Sequence, residues 1–181
     1  MLIEALIPVI LEQYRLPVFG IHGIGHWARV LDNGLRLAED SGADPAVIRY
    51  FAIFHDSRRQ NESVDPGHGV RGARLARELR AQIDLPNEDF ERLVLACEGH
   101  TTERFSPDVV IQTCWDADRL DLLRAGIQPH PKFLGTELAK DPRVIEWANQ
   151  RSLKQVVPDY VYSVWLDGKP PEEFNQSPGR E

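Results

Sequence analysis

The sequence predicts an all-α protein built as a single compact bundle of helices. Apolar residues recur at intervals of three and four along nearly the whole chain, which is the spacing that places them on one helix face. No stretch alternates with the period of two that a half-buried strand requires. The chain has 181 residues, 42% of them apolar, enough for one domain with a substantial core. We expect that domain over residues 1–166 and a flexible tail over 167–181, which is rich in proline, glycine and charge.

The expected helices follow one another with short breaks. They cover residues 2–11, 26–40, 45–56, 68–80 and 88–98 and a segment opening at Pro107, followed by two shorter closing helices at 133–149 and 151–166. Asp44-Pro45 is typical of a helix start, because the aspartate accepts the first free amide hydrogens and proline suits the first turn. The helix over 45–56 is apolar on nearly all sides, which predicts a buried central position.

Charge and composition exclude several classes of partner. The chain has 21 basic and 28 acidic residues, a net charge of −7, which argues against binding a nucleic-acid polymer. The apolar N-terminus is interrupted by Glu4, Pro8 and Glu12, so it predicts neither a signal peptide nor a membrane span. Cys97 and Cys114 form no CxxC motif, and we expect two reduced, buried thiols in a cytoplasmic protein.

A His55-Asp56 pair ends the most apolar of the predicted helices. Burying a carboxylate is costly unless a cation or a hydrogen-bond donor compensates its charge. A divalent metal compensates it most strongly and binds both side chains directly. The pair taken alone also fits an ordinary helix end, with His55 near the negative end of the helix and Asp56 capping the next turn.

Two further elements extend the pair into a recognisable pattern. HWARV stands at residues 26–30, and DADRLD stands at residues 116–121. With the His-Asp pair between them, these elements resemble the HD-domain superfamily of helical metal-dependent phosphohydrolases, over residues 20–125. The resemblance implies that His26, His55, Asp56 and Asp118 bind a metal ion. Asp116 is the alternative to Asp118. Residues two positions apart on a helix point in different directions, so only one of the two is expected to face the metal.

Two more histidines extend the resemblance to a second metal. His68 opens HGVRGA, which is similar to the HPxxGA element of HD members that bind two ions, and His100 stands in CEGHT at a predicted helix end. The resemblance implies two ions bridged by Asp56, while a structural or substrate-facing role for either histidine stays open. Imidazole and carboxylate ligands favour Mn, Fe, Co, Ni or Zn, as one or two ions.

Residues beside the ligands are candidates for binding substrate. Arg58 and Arg59 directly follow the His-Asp pair, and guanidinium groups match phosphate oxygens in a two-pronged geometry. We expect Arg58 to take part in catalysis with Asp56, and Arg58, Arg59 and His22 to bind substrate. Pairing of the arginines with acidic residues of the following loop is the alternative interpretation.

The function that the resemblance implies is hydrolysis of a small phosphoester, with a nucleotide among the candidates. Two alternatives stand beside it: a di-iron HD-type oxygenase with a similar ligand set, and a metal- or ligand-binding module without catalysis. No Gly-Tyr-Pro follows His100, which removes the main reason to expect a cyclic dinucleotide. Neither a nucleic-acid polymer nor a membrane is expected as a partner, and the apolar terminal helices offer a candidate homodimer face.

Overall fold

The computed structural model describes residues 3–169 and 171–174, and every regular element in those ranges is a helix. The predicted all-α fold is thereby confirmed. The α-helices are α1 (Ile7–Leu11), α2 (Ile24–Ser41), α3 (Pro45–Phe54), α4 (His68–Glu78), α5 (Asn87–Gly99), α6 (Val109–Arg119), α7 (Glu137–Lys140) and α8 (Pro142–Leu153). Short 3-10 turns occur at Ile3–Ala5, Arg80–Gln82, Leu122–Ala125, Pro131–Phe133 and Pro171–Phe174, and a π-helical turn occurs at Val161–Trp165.

Aspartate side chains fix where three of the helices begin. Asp44 accepts the amide hydrogen of Ala46 at 2.8 Å at the start of α3. Asp108 and Asp141 cap α6 and α8 in the same way. Such a cap stabilises a helix by about 1 kcal/mol, because it satisfies amide groups that have no partner in the first turn. The Asp44-Pro45 start was predicted from the sequence.

α3 forms the buried centre of the bundle. Val47, Ile48, Phe51 and Phe54 are fully buried, and α3 packs against α2, α5 and α6. The main apolar core surrounds this helix, while a smaller cluster joins α7 and α8 to Leu37 of α2. The closing helices therefore pack directly on the bundle, and the carboxyl end of the central helix carries the His55-Asp56 pair.

The closing helices differ from their prediction over residues 133–149 and 151–166. Asp141 has extended backbone angles, and Pro142 cannot continue a preceding helix, so one short helix ends and α8 begins there. α8 then continues through Leu153, and only a π-helical turn follows at Val161–Trp165. The predicted helix over 2–11 is likewise divided into Ile3–Ala5 and α1.

The predicted tail is described at residues 167–169 and 171–174. There Pro171–Phe174 forms a 3-10 turn, and Phe174 packs against the main core. Residues 1 and 2, the residue at 170 and residues 175–181, on which the tail and N-terminal predictions also fall, lie outside the described residues. Over the described part of the chain, no helix has both the length and the apolar character needed to cross a membrane.

Candidate metal centre

The ends of five helices meet at one buried cluster of histidines and aspartates. His55 and His100 are the C-terminal capping residues of α3 and α5, and Asp118 is the penultimate residue of α6. His26 and His68 lie in the first turns of α2 and α4. Three carboxyl ends and two amino ends of helices therefore meet at the cluster, so the partial negative charges that favour a cation outnumber the partial positive charges that oppose it.

Three of these side chains, His26, His55 and Asp118, form what we call the first group. Their ligand atoms all lie within 4.8 Å of one another, and all three residues are buried. The Nε2 atoms of His26 and His55 are 3.0 Å apart. Asp118 Oδ1 lies 3.4 Å from Nε2 of His26 and 3.9 Å from Nε2 of His55. The first group thus presents two imidazole nitrogens and one carboxylate oxygen to a common point.

Asp56, His68 and His100 form the second group, which is equally buried and equally close. The Nε2 atoms of His68 and His100 are 2.9 Å apart, and Asp56 Oδ1 lies 3.1 Å and 3.8 Å from them. The other oxygen of Asp56, Oδ2, lies 3.5 Å from Nε2 of His26 in the first group. Asp56 therefore offers one oxygen to each group.

All four ligand histidines use Nδ1 to donate a hydrogen bond away from the cluster. Each acceptor is a carbonyl or carboxylate oxygen, which cannot itself donate, so the ring proton resides on Nδ1. The acceptors are Asp121 Oδ2 for His26, the Phe51 and Ala52 carbonyls for His55, the Asp65 carbonyl for His68 and the Cys97 carbonyl for His100. In the neutral rings, the lone pairs of Nε2 therefore point into the cluster.

Facing lone pairs at about 3 Å repel each other unless a proton or a cation lies between them. Donor atoms that each lie 2.0–2.2 Å from one ion are themselves about 3.0–3.5 Å apart, which is close to the separations within both groups. Asp118 Oδ1 supports this fit, because it is buried and has no hydrogen-bond partner among the described residues. The donor set therefore fits a divalent metal at each group.

The charge balance of the cluster also favours a cation. Burial lowers the pKa of His55 to about 3, so its ring is neutral at pH 7 and free to bind a metal. Burial would raise the pKa of Asp56, but the surrounding histidines hold that pKa well below its usual value. Burial likewise opposes protonation of His100, yet the bond to Asp56 and the charge of Asp118 raise its pKa. Two buried carboxylates thus draw positive charge into the cluster.

A buried chain of three residues orients His26. Its Nδ1 donates to Asp121 at 2.8 Å, and Arg29 donates to both oxygens of the same carboxylate at 2.7 and 3.0 Å. A carboxylate behind a ligand histidine fixes the ring and increases its basicity. His26 and Arg29 lie one helical turn apart on α2, which gives the HxxR spacing a structural reason.

Two glycines allow α4 to approach the ends of its neighbours. A Cβ atom at Gly69 would lie 2.2 Å from the carbonyl oxygen of Cys97, and one at Gly72 would lie 2.3 Å from the carbonyl oxygen of Phe54. Both distances are shorter than any normal contact, so only glycine permits this packing. The HGVRGA element thereby brings His68 next to His100 and Asp56.

Two arginines with buried side chains, Arg59 and Arg124, lie near the two groups. Each is close to a different oxygen of the Asp56 carboxylate. Arg59 Nη1 lies 3.6 Å from Asp56 Oδ1 and 3.2 Å from Nε2 of His68. Arg124 Nη2 lies 3.9 Å from Asp56 Oδ2 and 3.8 Å from Asp118 Oδ1, and the side chain is 5% exposed. The sequence prediction included Arg59 and missed Arg124. The only available signal was that Arg124 follows the DADRLD element by three residues.

Arg58 is directed away from both groups. The amide of Arg59 donates to the carbonyl of Asp56 at 3.2 Å, which closes a turn and returns Arg59 to the cluster. Arg58 instead donates to the carbonyl and the side-chain oxygen of Gln13, at 3.0 and 2.6 Å. The structure therefore brings Arg59 to the ligands, whereas the predicted catalytic residue Arg58 lies at a neighbouring cavity.

His22 and Asp116 lie close to the ligands in sequence but occupy different positions. Nδ1 of His22 is 2.5 Å from Oε2 of Glu62, and the ring centroid lies 6.4 Å from that of His26. Asp116 accepts hydrogen bonds from the amides of Gly135 and Thr136, so it holds that loop against α6. Asp118, and not its rival Asp116, therefore belongs to the first group.

No model of a known protein family matches the chain, and no solved structure matches it. The structure itself shows two buried groups of His and Asp side chains that could each hold a metal ion, with Asp56 close to both and guanidinium groups beside them.

Proposed function

We propose that the chain is a metal-dependent phosphohydrolase of the HD-domain type, acting on a small phosphoester, with nucleotides among the candidates. The observation that supports it best is the pair of ligand groups sharing Asp56, with Arg59 and Arg124 against the two oxygens of that carboxylate. Nitrogen and oxygen ligands together suit Mn²⁺, Fe²⁺, Co²⁺, Ni²⁺ or Zn²⁺. Metal ligands beside buried guanidiniums favour a phosphate over a neutral substrate.

The side chains of the centre divide into metal ligands and phosphate-binding residues. His26, His55 and Asp118 would hold the first ion, His68 and His100 would hold the second, and Asp56 would contribute to both. Divalent ions bound there would polarise a phosphoryl oxygen as Lewis acids and would lower the pKa of water toward neutrality. The two arginines bind the remaining phosphoryl oxygens and stabilise the charge that develops on them during displacement.

His22 is the residue we propose to carry the proton. Two other acidic residues near the ligands are less suited to this role, because Glu98 pairs with Arg77 at 2.8 Å on the surface and Asp116 is fixed by hydrogen bonds from its neighbouring loop. Burial lowers the pKa of His22, so its ring is neutral at pH 7, and the bond from Nδ1 to Glu62 leaves Nε2 to exchange a proton with substrate. Replacing His22 with Gln should lower kcat and change its pH profile while the bound metal is retained.

A phosphatase panel tests the proposal directly. Purified protein loaded with Mn²⁺ or Co²⁺ is expected to hydrolyse at least one member of a set of nucleotides and phosphoesters. His55→Ala should abolish that activity, and His130→Ala, a change at an exposed histidine outside both groups, should preserve it. Activity that survives both His55→Ala and a chelator would refute metal-dependent hydrolysis at this centre.

The shared carboxylate also favours a second candidate, a di-iron oxygenase. Two groups joined by Asp56, with two histidines each, could hold two irons side by side. Iron bound at two ions per chain, together with oxygen consumption and no phosphatase activity, would support this candidate. Bound metal without either activity would instead support a non-catalytic binding module.

A further inference from the structure

A cavity of about 480 Å³ opens where residues 12–15 pass the turn after α3 and the first half of α4. Its volume falls in the range of about 300–1,000 Å³ that is usual for small-molecule sites. We call it the arginine cavity, because its lining includes Arg15, Arg58, Arg59, Arg71 and Arg74. Glu12 is the one carboxylate among its lining residues in the described chain.

The arginine cavity keeps positive charge in a chain whose net charge is −7. Arg15 and Arg58 form no ion pair with any described residue, whereas Arg71 pairs with Asp65 at 2.6 Å. Arg74 lies 3.6 Å from Glu78, and both side chains are largely exposed, so this pair is weak. Five guanidiniums therefore line one cavity, and two of them, those of Arg15 and Arg58, have no ion-pair partner among the described residues, which indicates that an anion is the natural occupant.

Several of these guanidinium groups are held in place before any ligand binds. Arg58 is fixed by its two bonds to Gln13, and Arg59 donates to the carbonyl of Ser63 at 2.6 Å. Arg71 Nε donates to the carbonyl of Arg58 at 3.0 Å, which ties α4 to the turn. Because little side-chain freedom remains to be lost, such arginines suit the two-pronged binding of phosphate.

Arg59 is common to the arginine cavity and the metal centre. It lines the cavity, and its Nη1 also lies 3.6 Å from Asp56 Oδ1. We propose that the arginine cavity binds a small molecule carrying two or more phosphate groups, beside the metal centre. A further consequence rests on the proposed phosphohydrolase function: the substrate carries at least one phosphate in addition to the ester that is cleaved.

Calorimetric titration of the metal-free protein with inorganic tripolyphosphate tests the site without any turnover. Saturable one-to-one binding is expected, and higher salt should weaken it. The double variant Arg15→Gln/Arg58→Gln should bind at least about tenfold more weakly, because it removes two charged hydrogen-bond donors to phosphate. Arg77→Gln is the matched control on α4, because Arg77 pairs with Glu98 outside the cavity.

Absence of saturable binding, or equal affinity in the double variant, would overturn the proposal. If the glutamine variant fails to fold, Arg15→Lys/Arg58→Lys keeps the charges but lacks the forked geometry; it should bind several-fold more weakly than wild type, and unchanged affinity would count against the site. His55→Ala should bind tripolyphosphate as wild type does, so loss of hydrolysis and loss of this site are separable.

The metal-loaded enzyme then distinguishes a substrate from a separate ligand. The glutamine double variant should raise KM for substrates with several phosphates more than for monophosphates. Equal KM values for the two proteins, with tripolyphosphate binding lost, would show that the arginine cavity serves another ligand and would overturn the consequence for the substrate.

Discussion

Each of the two ligand groups contains two histidines and one aspartate, but different residues support their histidines from behind. In the first group, His26 is backed by the carboxylate of Asp121, which Arg29 holds in turn. In the second group, His68 and His100 donate to backbone carbonyls three residues earlier in their own segments. A charged carboxylate behind a ligand strengthens metal binding more than a neutral carbonyl does.

Arg59 increases this difference, because it lies closer to a ligand atom of the second group than Arg124 lies to Asp118 Oδ1 of the first. Arg59 Nη1 stands 3.2 Å from Nε2 of His68, where its charge repels an ion of the second group and its N–H can donate to the same lone pair. In the first group, Asp118 Oδ1 is buried without a hydrogen-bond partner in the described chain. We therefore expect the first group to bind its ion more tightly.

Replacing the shared carboxylate should have the largest effect. Asp56→Asn removes a charged ligand from both groups, so the metal content should fall from two ions per chain to less than one. Activity should fall at least ~100-fold, because loss of even an outer-shell partner typically costs 10–100-fold. Elemental analysis after desalting measures the metal content. Asp159→Asn, at an exposed aspartate, is the control, and two ions retained in Asp56→Asn would contradict a bridging role.

The two neighbouring aspartates of α6 should behave in opposite ways. Asp118→Asn should empty the first group alone and leave the metal-free protein at least as stable, because Asp118 Oδ1 has no hydrogen bond to lose within the described residues. Asp116→Asn should keep both ions but lower the free energy of unfolding by about 1–3 kcal/mol, because an amide N–H would face the donors of Gly135 and Thr136. Metal content and denaturant unfolding, measured for both variants, show which aspartate binds metal and which stabilises the fold. Loss of metal in Asp116→Asn alone would show that Asp116, and not Asp118, is the ligand.

The support behind His26 should have a smaller effect, confined to one group. Asp121→Asn keeps the shape of the side chain but removes its charge, so affinity at the first group should fall about 10–100-fold. Affinity at the second group should stay within about twofold. Titration with a metal-sensitive dye resolves the two sites, and equal weakening of both would show that Asp121 supports the bundle and not His26 in particular.

The sequence was sufficient to predict the fold class and to name the candidate ligands that the fold brings together. The helical period, the Asp44 cap and the apolar character of α3 were enough to predict a buried central helix ending at His55. The HD resemblance named every member of both groups, although membership of that superfamily stays a prediction. These features are local, or are short sequence motifs in a fixed order, so they can be recognised without a structure.

What the sequence could not supply depends on packing between distant residues. Asp121 supports His26 across 95 positions, and no spacing rule links them. The guanidinium of Arg124 is held at the cluster by its own hydrogen bonds to the carbonyls of Ile21 and Asp121, and Ile21 is 103 positions away in the sequence. Arg58 and Arg59 are adjacent arginines, and only the turn closed by the carbonyl of Asp56 decides which one faces the ligands.

The position of the ions tests the central claim most directly. Crystals of the protein grown with Mn²⁺ should show two anomalous peaks in each chain, one among His26, His55 and Asp118 and one between His68 and His100. Asp56 should direct one carboxylate oxygen to each peak, with the first peak the more fully occupied. A folded protein that shows no anomalous density within either group, or density only elsewhere, would contradict a metal centre at this site.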